Sequence, residues 1–160
     1  FIFEMLCLEC ASVGLSWRTI MHKRDAYRLA FCGFDIDACA NLSDEYLESQ
    51  LRNAGLIRNR AKIFSVRSNA RAVLQIKKEF GSFDAYLWGF TDGKQTIGNR
   101  KSLRDVPTQS PLSNAISLDM KRRGISFMGS VITYSFLQSI GMIDDHLIDC
   151  PCFEECKQSR

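Results

Sequence analysis

Two groups of residues in this chain have types and spacings that could do chemistry, one near each end. The first is Glu9 with Trp17, separated by a turn that contains Gly14, Leu15 and Ser16. Glu9 falls in a run, FIFEMLCLEC, whose apolar residues point in every direction around a helix, so the segment should be enclosed by other elements. Glu4 sits near the start of that helix, where the dipole favours an anion and solvent is close. Glu9 lies mid-helix, and a carboxylate in apolar surroundings is costly unless something pairs with it. A carboxylate, an aromatic plate and an apolar wedge close together would suit an extruded base: stacked on Trp17, read by Glu9, its gap filled by Leu15. The competing reading is a core helix whose Glu9 is paired with Arg18 or Lys23. Spacing alone leaves both open.

The second group is His146 and Cys150, an i, i+4 pair on an expected helix over residues 143–150. Imidazole and thiolate are zinc chemistry, and a structural site needs four ligands. Cys152 and Cys156 follow closely and could complete it, or ligands could come from elsewhere. The plainer reading is a helix-terminal His and a free thiol. His22, on a basic helix, reads as a surface residue. Asp144 and Asp145 read as caps of the last helix. No Gly-x-Ser-x-Gly elbow and no Gly-rich phosphate loop occurs.

The elements that would position these groups are helical throughout. Expected helices run over residues 1–13, 17–31, 35–40, 44–53, 60–80, 83–90, 111–123, 127–140 and 143–150, with Ser16, Ser43 and Ser110 as caps and Pro111 at a first helical position. Residues 91–110 read as a polar loop, the longest in the chain. The 44–53 helix, the break around Gly55 and the 60–80 helix form a helical hairpin. With no convincing strand, the class is all-α.

At 160 residues the chain is one domain or a compact pair of lobes, and 46% apolar content supports a sizeable core. Seven Cys without a secretory signal point to a reducing compartment, with Cys7, Cys10, Cys32 and Cys39 as buried free thiols. Net charge is only +3, yet eight basic and no acidic residues lie between Arg52 and Lys78, a local +8. Arg60, Arg67, Arg71 and Lys78 fall within about 40° of one another on a helix. One basic face on a nearly neutral protein is the footprint of a polyanion binder; a solvated helix face is the bland reading.

Three stretches together, FEMLCLECASVGLSW, NAGLIRNRAKI and RGISFMGSVITYSFLQSIGMIDDHLIDC, resemble the 3-methyladenine-DNA glycosylase I family in order and spacing, from Phe1 to Cys150. The resemblance implies an all-α, two-lobed member of the helix-hairpin-helix glycosylases. Its activity would be hydrolytic, monofunctional excision of 3-methyladenine from alkylated double-stranded DNA in base excision repair. By position, Glu9 matches the glutamate at the bottom of the base pocket and Trp17 the tryptophan that stacks on the base. Gly14 and Leu15 match the loop that enters the DNA. Gly55, Arg58, Arg60 and Lys62 match the phosphate-holding hairpin, and His146 and Cys150 match half of a structural Zn2+ site. The family's N-terminal segment, which carries the other two zinc ligands and pocket aromatics, is not within these residues, and a piece preceding Phe1 is expected. A bacterial, cytoplasmic, nucleoid-associated monomer is the expected setting. The second expectation, from another class, is a non-catalytic DNA-binding remnant that keeps the hairpin and lacks a complete pocket and zinc site.

Overall fold

A computed structural model describes residues 1–157, with side chains through residue 154. The first helix, α1 (Ile2–Ser12), has almost no apolar stripe, because its apolar residues lie on all sides, and every residue from Phe3 to Ser12 is buried. It is enclosed by α2 (Trp17–Met21), by α6 (Arg60–Phe80) and by α9 (Ser130–Ser139). A single cluster of buried apolar residues runs from Phe3 through the α6 residues Ile63, Val66, Ala70 and Val73 to Phe136 and Leu137 of α9.

Both carboxylates of α1 are therefore interior, and they are satisfied differently. Glu4, expected close to solvent, is buried and meets two guanidinium groups of α3 (Arg24–Ala30). Arg24 Nε lies 2.8 Å and Arg28 Nε 2.7 Å from Glu4 Oε1, and Arg28 Nη2 donates to Oε2 at 3.1 Å. Burial alone would raise the Glu4 carboxyl; the two arginines outweigh it and hold it at about 2. Among the described residues Glu9 has no such partner.

Several expected boundaries hold because their caps hold. Ser16, Ser43 and Ser110 each accept from the backbone N–H three residues on, opening α2, α5 (Asp44–Gln50) and α8 (Pro111–Arg122). Asp35 does the same for α4 (Ile36–Ala40), and Ser82 for α7 (Phe83–Trp88). The expected 17–31 helix is interrupted at His22–Lys23, which separates α2 from α3. His22 is exposed, as expected, and so is Cys32, which was expected buried.

The larger departure is at the C-terminal end. Residues 143–150 are not a helix. Ile143–Asp144 forms a short strand, β2, paired in parallel with β1 (Thr96–Ile97) inside the expected polar loop. Thr96 N–H donates to Met142 O at 2.9 Å, Gly98 N–H to Asp144 O at 2.8 Å and Ile148 N–H to Arg100 O at 2.9 Å. Asp145 is drawn inward by Arg100 Nε at 2.7 Å, Gln138 Nε2 at 2.9 Å and the Tyr134 hydroxyl. These long-range bonds replace the local helix that the pattern implied, so neither Asp144 nor Asp145 caps one. A last helix, α10 (Cys152–Lys157), follows. Among the described residues no helix is long and apolar enough to cross a membrane.

Candidate functional site

Where α1 ends, the chain turns sharply. Gly14 takes a φ of 77°, the left-handed region that favours glycine, and Leu15 N–H closes the turn on Ser12 O at 2.7 Å. Ser16 then caps α2, whose first residue is Trp17. This leaves two large apolar side chains in the open: Leu15 is 43% and Trp17 37% exposed. Neither packs into the core, and both border the same cleft.

That cleft has a volume of ≈ 780 Å³. One wall is Glu9, Ser12 and the Gly14–Trp17 turn; the other is Ile132, Ser135, Gln138 and Ser139 of α9. The sequence-predicted trio of Glu9, Leu15 and Trp17 is thus brought together. The α9 wall was missed. Its only signal was a set of polar residues, Ser135, Gln138 and Ser139, returning on one side of an otherwise apolar helix.

Glu9 forms no ion pair among the described residues. Arg18 is not recruited, and Lys23 instead donates to Ala54 O at 2.8 Å. The nearest donor is Ser12 Oγ, which bonds Glu9 O at 2.8 Å and lies 3.5 Å from Glu9 Oε2. Burial pushes the Glu9 carboxyl up to about 7, with Ser12 opposing only weakly. A buried acid facing an open cleft without a countercharge can hold a cation, or donate and accept hydrogen bonds to a planar ligand.

The hairpin between α5 and α6 is held tightly. Gly55 packs against α3 so closely that a Cβ there would lie 2.6 Å from Ala26 Cβ, which explains the glycine. The amides of Gly55, Leu56, Ile57 and Asn59 donate within the chain, to Asn53 Oδ1, Asn53 O, the Tyr27 hydroxyl and Ile57 O. Asn59 caps α6 by accepting from Lys62 N–H at 3.1 Å. Arg58 is exposed. Arg60 pairs with Glu48 at 2.6 Å and lies over the Phe64 ring.

Lys62 behaves differently from the expectation that it faces phosphate. Its Nζ turns inward and donates to Ala11 O at 2.9 Å and Val13 O at 2.5 Å. The basic stripe is likewise partly internal. Arg67 bonds Leu42 O and Asp44, and Arg71 bonds Ala40 O, so both secure the end of α4 and the approach to α5. The local +8 is therefore a weaker outward field than the sequence count implies.

His146 and Cys150 do not share a helix face, since the segment is strand and turns. His146 N–H donates to Asp144 Oδ1 at 2.9 Å, and Cys150 N–H to Leu147 O at 2.8 Å. Among the described residues no group of three or more His, Cys, Asp or Glu could hold a metal ion. The donor chemistry of zinc is present in the pair, but its expected geometry is not. Cys156, offered as an extra ligand, lies outside the described side chains.

Comparison with known proteins identifies the family. The methyladenine glycosylase family model matches residues 1–154. The DNA-3-methyladenine glycosylase of Haemophilus influenzae is 41% identical over 151 residues, covering 94% of this chain and 82% of that protein. DNA-3-methyladenine glycosylase 1 of Escherichia coli K12 is 38% identical over 152 residues, covering 95% and 81%. Among solved structures, a 3-methyladenine DNA glycosylase I superposes with a TM-score of 0.91 at 42% identity, covering 94% of this chain and 83% of its own. A variant of such an enzyme in complex with 3-methyladenine superposes with a TM-score of 0.92 at 32% identity, covering 94% and 81%. The chain belongs to the methyladenine glycosylase family.

Proposed function

We propose that this protein is a DNA repair glycosylase that captures an extruded 3-methyladenine in the α1–α9 cleft and releases it by hydrolysis. The observation that carries the reading is Glu9: a buried carboxylate with no cation of its own, beside an exposed Trp17. A 3-methylated adenine is cationic while attached to its sugar. It supplies the missing countercharge, and its exocyclic amine can donate to Glu9. Unmodified adenine brings no charge, so Glu9 would remain an uncompensated buried acid. Trp17 offers the ring face for stacking, and Leu15 the wedge for the vacated stack.

The cation is already a good leaving group. As the C1′–N9 bond breaks, its electron pair neutralises the base, while water adds to C1′ and gives up a proton. Glu9 then acts chiefly by selecting and holding the charged base, which displaces water from the carboxylate as it binds. Among the described residues no lysine lines the cleft, so there is no amine there to form a Schiff base with the sugar, and strand cleavage is not part of the reaction. Metal analysis of the purified protein beside H146A tests the zinc reading: zinc lost in the variant supports it, and equal stoichiometric zinc in both sets His146 aside.

Incubating the protein with methylated duplex DNA and quantifying free 3-methyladenine tests the proposal. Release at enzyme-dependent rates is expected; none would leave only a DNA-binding remnant. Backbone attachment is assigned to Arg58 and Arg60 at the hairpin, and not to Lys62. Neutralising both arginines should weaken duplex binding and reduce the slope of log affinity against log salt by up to about two. An unchanged slope would return them to the solvated surface. The reading sets the protein on chromosomal DNA in a bacterial cytoplasm as a monomer, and sedimentation as a dimer would remove the last part.

A further inference from the structure

We propose that Lys62 is a positioning residue for duplex opening, its ammonium fixing the end of α1 and thereby the Gly14–Leu15 turn. The inference rests on the glycosylase reading for its function but not for its geometry. Helix α1 ends with a left-handed Gly14 (φ 77°) just past its C-cap, Val13, but no basic residue of its own occupies its last turn. The cation that belongs at this negative helix end arrives from α6 instead. Lys62 Nζ bonds the carbonyls of Ala11 and Val13, at 2.9 and 2.5 Å, on either side of Ser12.

Those two bonds are placed where they matter most. Ser12 O is taken by Leu15 N–H at 2.7 Å. Carbonyls from Ala11 to Val13 are thus all engaged, two by Lys62 and one by the turn itself. The turn has little else to hold it. Gly14 has no side chain, and Leu15 is 43% exposed. Glu9, by contrast, is held by burial within α1 and by Ser12. Loss of Lys62 should therefore loosen the wedge before it disturbs the reader. The first turn of α6 follows the hairpin directly, because Asn59 caps it through Lys62 N–H. One residue thus has its backbone in the hairpin's cap and its side chain in the wedge's brace, so seating of the hairpin and aim of the wedge are mechanically joined.

Lys62→Met keeps the unbranched stem and removes the charge, and Lys62→Arg keeps a cation. Three measurements separate the possibilities: kcat/KM for excision from duplex DNA, affinity for free 3-methyladenine, and amide exchange of Leu15 without DNA. For K62M, duplex excision should fall by about tenfold or more and Leu15 exchange should quicken by about tenfold, from the loss of charge-assisted bonds. Free-base affinity should stay within about twofold, because Glu9 is held within α1 and Trp17 within α2, which keeps its Ser16 cap. K62R should recover most of the duplex activity. Parallel loss of free-base affinity, unchanged duplex excision or unchanged Leu15 exchange would each overturn the proposal. If the wild-type protein released no 3-methyladenine, the glycosylase reading alone would fail, and the exchange measurement would still decide the brace.

Discussion

Glu9→Gln should lower kcat/KM for 3-methyladenine excision roughly a hundredfold while leaving the protein folded. The physical basis is the separation of two tasks that the carboxylate performs. As an acceptor it can bond the exocyclic amine, and a glutamine carbonyl can still do that. As an anion it offsets the base's positive charge where the bound base displaces water, and glutamine cannot. The charge leaves the base as the glycosidic bond breaks, so the attraction is greatest before the reaction and works on capture. The defect should therefore appear in discrimination. Affinity for cationic damaged bases should fall much more than affinity for neutral purines. Unchanged excision by the variant would remove Glu9 from the mechanism, and equal losses for charged and neutral bases would make it a mere shape element. Trp17 stacks on either class and, because an indole face attracts a cation, should favour charged bases only modestly.

Much of this site is legible in the sequence, and what is not shares one cause. Burial of Glu9 followed from Phe3, Met5, Leu6 and Leu8 surrounding it on all faces of α1, a property local to eleven residues. The turn at Gly14 and the cap at Ser16 are local too. Pairing is not local. The local pattern puts Glu4 near solvent and offers Arg18 or Lys23 to Glu9, and the structure does neither. The break at His22–Lys23 turns α3 so that Arg24 and Arg28 reach Glu4, while Lys23 goes to the hairpin carbonyl of Ala54. Lys62 shows the same limit: its position in the hairpin was legible, its inward direction was not, because the acceptors belong to α1. The 143–150 segment failed most fully. Its Asp-rich start and apolar spacing imitate a capped helix, but pairing with Thr96–Ile97 and the inward pull of Arg100 and Tyr134 on Asp145 outweigh a weak local preference. The α9 wall of the cleft was hidden for the related reason that Ser135 and Ser139 acquire meaning only once α1 lies opposite them.

The two carboxylates of α1 should also give the protein a stability profile with a maximum near the ordinary carboxylate range. Glu4 is depressed to about 2 by Arg28 and Arg24 against the cost of its burial, so its contribution is complete above its unfolded value of 4.5 and is lost as pH falls toward 2. Glu9 is raised to about 7 by burial from the same unfolded value. Between 4.5 and 7 the folded state therefore binds more protons at Glu9 than the unfolded state does, and stability declines as pH rises through that window. The full decline from Glu9 is about 3 kcal/mol, an upper figure because the cleft admits water to the carboxylate. Urea unfolding at pH 5 and pH 8 reads it directly when wild type is compared with E9Q. The variant should gain relative to wild type at pH 8 and little at pH 5, since glutamine carries no charge to desolvate. Saturating 3-methyladenine closes the cycle if bound in its cationic form, by supplying the countercharge and drawing Glu9 toward ionisation. The free protein then holds an acid that is half ionised near neutrality, destabilising when charged and relieved only by a positively charged occupant. A flat wild-type minus E9Q difference between pH 5 and pH 8 would mean that Glu9 is solvated well enough to need no such occupant, and the electrostatic basis for selecting cationic bases would go with it.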